Sequence, residues 1–228
     1  EFLLWGQDNT IPSLKMNGQR PLTDYTTETN ATRRGQYLKI VNALLVEDIK
    51  TVVDQWKPGA SYRDYFLALA PDEAITKILT GAAKLSKGEL AGERMVVAVE
   101  NQNQEDEQSC FSDNTHRDIY SNALSIHNII IGSYQKTDGS SISGTSLLDV
   151  LKLVNANEAN TLAITAAEVM DKVTGISDTG YFDNQIMIET IDNFDNPVMS
   201  AVKVLRKQGD ELAKAGKSIT GNTIDPSV

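Results

Sequence analysis

The sequence predicts an all-α, bundle-like fold, and three observations predict it. Apolar residues recur at spacings of three and four through most of the chain. Proline, glycine and capping residues punctuate those stretches where helices would start and stop. Alternating strand patterns are nearly absent, and the Asn-Gly at 17–18 and the Asp-Gly at 138–139 lack flanking strands.

The chain opens on an apolar element, Phe2, Leu3, Leu4 and Trp5, with no initiating Met, no basic lead-in and no signal-type run. That start predicts the later part of a longer protein whose targeting segment is out of view. Gly6 to Thr32 is polar, carries Pro12 and Pro21, and reads as a long surface loop. From Ala31 to Trp56 the pattern becomes helical. Tyr37, Ile40, Val41, Leu44, Leu45, Ile49, Val52, Val53 and Trp56 form one apolar stripe, and Pro58-Gly59 ends it. Pro71, followed by Asp72 and Glu73, marks the first turn of the next helix, with carboxylates suited to the helix dipole. Ile75, Ile78, Leu79, Ala82 and Ala83 continue it. Gly88 and Gly92 weaken its middle, and Met95 to Val99 resumes it as a buried piece.

A third helix starts after Ser112-Asp113, where Thr115 and Asp118 have capping-box spacing, and runs to about Tyr134. A Gly/Ser loop from Asp138 to Thr145 follows. A short helix then spans Leu147 to Val154, and another runs from Glu158 to Val173. The last opens at Pro197, with Val198, Ala201, Val202, Leu205, Leu212 and Ala213 on its core face. From Gly216 on, the tail is polar and expected to fray.

Composition narrows the function classes. Against 21 Lys and Arg stand 31 Asp and Glu, a formal charge of −10. Such a field repels nucleic acid and anionic membrane surfaces and attracts cations, although it also simply aids solubility. Cys110 is the only cysteine, which excludes an internal disulfide and a Cys-based zinc site. Apolar runs such as Met95 to Val99 are far short of the ~20 residues that a membrane helix needs.

One polar stretch stands apart. Gln102 to Asp118 packs five carboxylates, Cys110, several hydroxyls and His116 between two helical cores. Carboxylates and hydroxyls are hard oxygen donors and histidine adds a nitrogen, a set suited to a divalent or trivalent cation. The same residues equally describe a helix stop followed by a new N-cap. His116 and His127 share a helix face but stand ~16 Å apart along it, too far to ligate one ion. His127 reads as a core or interface residue. No HExxH zinc motif, phosphate-cradling glycine loop or nucleophile elbow occurs.

Three stretches carry a family resemblance. Glu1-Phe2-Leu3-Leu4-Trp5-Gly6-Gln7-Asp8 resembles the stretch that completes the G-x-H-x-x-E motif of imelysin-like proteins, with Glu1 as its final glutamate. The run from Glu105 through Cys110-Phe111-Ser112-Asp113-Asn114-Thr115-His116 to Asp118 is similar to the signature of the iron-regulated protein A branch, and Gly88 to Met95 resembles a segment just ahead of it. The motif's Gly and His would precede residue 1, and Gln108 stands where that branch would carry a histidine.

The resemblance implies two helical-bundle halves, with residues 1–58 closing the first and 59–228 forming the whole second. It implies an exported bacterial protein, periplasmic or outer-membrane associated, that takes part in iron uptake. The expected activity is binding iron or an iron complex between the halves. The metal donors would be Glu1, Asp106, Glu107 and His116, with Asp113 and Asp118 orienting them. An imelysin-type metallopeptidase using zinc is the alternative, and catalysis finds little support in these residues. Expected partners are the metal, the N-terminal half of the same protein and an outer-membrane uptake protein.

Overall fold

A computed structural model describes residues 1–6, 17–186 and 196–227. It is mostly helical, as the periodicity predicts. α1 (Phe2–Trp5), α2 (Thr23–Thr26), α3 (Ala31–Gln55) and α4 (Ser61–Leu67) come first. A long rod follows. It is α-helical over α5 (Pro71–Lys84), π-helical over Leu85–Val96, and α-helical again over α6 (Val97–Asn101). After a 3-10 turn at Gln104–Asp106 come α7 (Thr115–Ile131), strands β1 (Ser133–Gln135) and β2 (Ser141–Ser143), and α8 (Leu147–Val154). α9 (Ala156–Thr179), α10 (Asp183–Ile186) and α11 (Pro197–Thr220) complete the order.

The helix starts have local causes. Pro71 and Pro197 each occupy a first helical turn, where a missing N–H costs nothing. Asn196 accepts from the N–H groups of Val198 and Met199, and Ser146 with Asp149 makes a reciprocal capping box for α8. The capping box expected at Thr115 and Asp118 does not form. Both side chains turn to Ser109 instead: Thr115 Oγ1 accepts from its N–H at 3.0 Å and Asp118 Oδ2 from its hydroxyl at 2.5 Å.

The rod, α7, α9 and α11 close a four-membered ring. α11 lies against both the rod and α9, while α7 lies against α9 and the π-helical part of the rod. Two apolar clusters fill it. One gathers Leu90, Met95, Val99, Ile119, Val173, Ile176, Phe182 and Leu205, and the other Leu79, Ile126, Ile130, Leu151, Leu162 and Leu212. Close approach of α11 to the rod needs Gly209, where a Cβ would fall 2.6 Å from Lys87 Cβ and 3.0 Å from the Ala83 carbonyl.

Several expectations are corrected. Gly88 and Gly92 do not interrupt the rod, because the π-helical segment carries the chain through them. The Asp138-Gly139 turn does join a hairpin, pairing Tyr134 with Ile142, and α7 stops earlier, at Gly132 in the left-handed conformation. The Gly6–Thr32 loop holds α2, while its residues 7–16 lie outside the described ones. The tail does not fray at Gly216: α11 continues to Thr220, and Ile224 folds back into the second cluster.

The α3 stripe forms as expected, and its nine apolar residues are each 39–61% exposed. α3 packs on α1, α2 and α4, not into the ring. No helix among the described residues is long and apolar enough to cross a membrane.

Candidate functional site

Gln102 ends α6 with φ 47°, and Asp113 turns the chain again with φ 51°, so the segment between them folds as a compact loop at the end of the ring. Ser109 braces it. Besides its bonds to Thr115 and Asp118, its carbonyl accepts from Asn114 N–H at 3.2 Å. Asn103 accepts from Glu105 N–H, and Asn101 Nδ2 donates to Asp106 Oδ2 at 2.7 Å.

The N-terminal element docks on this loop. The Glu1 carboxylate accepts from Ser112 N–H at 3.0 Å and from Ser112 Oγ at 2.6 Å, across 111 residues of sequence. Phe2 meets Phe111 edge to face at 5.3 Å, and Gly18 N–H donates to the Phe111 carbonyl. Arg20 ties the corner together: its guanidinium lies over the Phe2 ring, donates to the Phe2 carbonyl, and pairs with Asp24 at 2.7 Å. Gly18 is required here, since a Cβ would strike the Trp5 and Gly6 carbonyls.

Glu107 behaves differently from the other expected donors. It was not expected in the core, yet it is only 6% exposed and faces Asp183, which is fully buried. Among the described residues no N–H or O–H is hydrogen-bonded to either Glu107 oxygen or to Asp183 Oδ1, although Thr115 lies near enough to favour the Glu107 charge. Two facing carboxyls are both acceptors, so a single proton held between them satisfies the pair. Burial, then Asp183, then the charge of Asp113 push the Glu107 carboxyl up to about 10 from an ordinary value of 4.5. The other Asp183 oxygen accepts from Gln104 Nε2 at 2.7 Å.

His116 is half-buried beside the Tyr181 ring, 6.0 Å between centroids, and burial lowers its pKa. Asp113 is buried, Asp118 is engaged by Ser109, and His127 is half-buried with its pKa lowered by desolvation.

The structure thus joins Glu1 to the loop, through Ser112. The four expected donors are engaged separately: Glu1 by Ser112, Asp106 by Asn101, Glu107 by Asp183 and His116 by Tyr181. Among the described residues no three His, Cys, Asp or Glu side chains gather so as to hold a metal ion. A bare ion therefore does not fit this donor arrangement. Sequence reasoning passed over Ser112, Arg20 and Asp183. Asp183 carries no motif in the sequence, because its partners come from another helix connection.

A family model described as Imelysin matches residues 1–212. No curated protein matches the chain.

Proposed function

The chain belongs to the imelysin family, and on that footing we propose an iron-uptake-associated binding protein that takes an iron complex where Glu1 meets the Gln104–Asp118 segment. The observation that carries this reading is the seating of the Glu1 carboxylate on Ser112 N and Oγ. It brings the residue that resembles the end of the G-x-H-x-x-E motif onto the segment that resembles the iron-regulated signature. Because the expected donors do not gather, the reading takes the metal as an intact complex, held by hydrogen bonds. A first helical bundle completes the site in this reading, packing on Phe2, Leu4 and the exposed stripe of α3. The periplasm or outer membrane is the matching location, with an uptake protein there as partner.

The family's designation, Peptidase_M75, favours one rival, a zinc metallopeptidase. A hydrolytic zinc site takes about three protein ligands and an open position. The two histidines of this chain lie on α7, too far apart along it to share an ion.

Calorimetric titration of the full protein with ferric nitrilotriacetate tests the reading. Wild type should bind, and Glu1→Gln should bind about tenfold more weakly through loss of a charged acceptor. Equal affinity in both would remove Glu1 from the site, and no binding in wild type would end the iron reading. Peptide cleavage that depends on added zinc would promote the rival.

A further inference from the structure

Asp183 sits on a rigid mount. Its neighbours Phe182 and Ile186 are fully buried in the apolar cluster. Gln185 Nε2 donates to the carbonyls of Ile176 at 3.0 Å and Gly180 at 3.1 Å, and Asn196 Nδ2 donates to the Gln185 carbonyl. The corner between α9 and α10 is thereby tied to α9, to the core and to the start of α11.

From this corner Asp183 reaches two residues of the loop. Gln104 opens the 3-10 turn Gln104–Asp106 and Glu107 follows it, and both are more than nine-tenths buried. One Asp183 oxygen accepts from Gln104 Nε2, and the other faces the Glu107 carboxyl. One carboxylate thus holds the start of the turn by a hydrogen bond and faces the residue that follows its end, while Asp106 between them stays half-exposed. The Gln104–Asp183 bond lies where water does not reach, so it is selective for this one arrangement of the loop.

We propose that Asp183 is the positioning residue of the candidate site, holding the Gln104–Glu107 turn so that the loop presents Ser112 to Glu1. Its binding consequence rests on the iron-complex reading above, but its effect on the loop does not. Asp183 touches no ligand in this scheme and acts through Gln104 and Glu107.

The test compares Asp183→Ala with Asp183→Asn in the full protein. Asparagine keeps an acceptor for Gln104 and offers an N–H to Glu107, so it should rescue what alanine loses. In Asp183→Ala, amide exchange across residues 102–118 should speed about tenfold while α8 and α9 keep their protection, the pattern of a local opening. Affinity for ferric nitrilotriacetate should fall about tenfold in the same variant and stay within about threefold of wild type in Asp183→Asn. Should Asp183→Ala not fold, Gln104→Ala removes the hydrogen bond to Asp183 and should give the same local exchange. Unchanged exchange in 102–118, an equal rise everywhere, or an Asp183→Asn as impaired as Asp183→Ala would overturn the assignment. If wild type binds no ferric nitrilotriacetate, the iron reading fails, and the exchange pattern still decides the role of Asp183.

Discussion

Replacing Glu107 with Gln should flatten the pH dependence of stability across the neutral range. In the folded protein the Glu107 carboxyl is held at about 10, against an ordinary 4.5, chiefly by burial and then by Asp183, with Asp113 adding to it and Thr115 opposing. Between those values the folded state keeps a proton that the unfolded chain has released. Stability therefore falls as pH rises: the contribution is complete below the unfolded value and is lost progressively toward the folded one. One proton of difference corresponds to a slope of up to about 1.4 kcal/mol per pH unit, or about 2.7 kcal/mol between pH 6 and 8. Glutamine has nearly the same volume, does not titrate, and can donate an N–H to Asp183 Oδ1. Urea unfolding of both proteins at pH 6, 7 and 8 should show Glu107→Gln gaining on wild type at each step. Parallel stability curves would refute the buried, proton-holding pair.

Two further outcomes follow from packing. Gly209→Ala should push α11 off the rod, since the new Cβ would meet Lys87 Cβ and the Ala83 carbonyl, and should cost about 1–3 kcal/mol in thermal unfolding. In residues 1–228 alone, Leu44→Glu with Ile49→Glu should change stability by less than about 0.5 kcal/mol each, because the side chains are 53% and 55% exposed, while reducing binding of an apolar dye. A large loss of stability would show the α3 stripe to be covered within this chain.

The site was legible in part. The polar run from Gln102 to Asp118 stands out because hydroxyls and carboxylates crowd between two apolar stretches, and the loop does form there. Glu1 could be joined to it only by resemblance, and the contact runs through Ser112, which no spacing rule marks. Thr115 and Asp118 satisfy the local spacing of a capping box, but Ser109 competes for both and wins, since it offers a backbone and a hydroxyl donor at once.

The helices themselves were written locally. Periodicity and terminal signals such as Pro71 and Pro197 placed the rod, α7, α8, α9 and α11, because helix formation and its punctuation depend on residues a few positions apart. Which apolar stripe finds a partner is not a local property. α3 and α11 carry comparable periodic stripes, yet α11 is buried in the ring and α3 is exposed, since a stripe encodes a face and not what covers it. The same holds for charge. Nothing in the local sequence separates Glu107 from Glu105, but the tertiary fold sets Glu107 against Asp183 out of water, and desolvation by distant parts of the chain turns it from an ordinary carboxylate into a proton-holding acid.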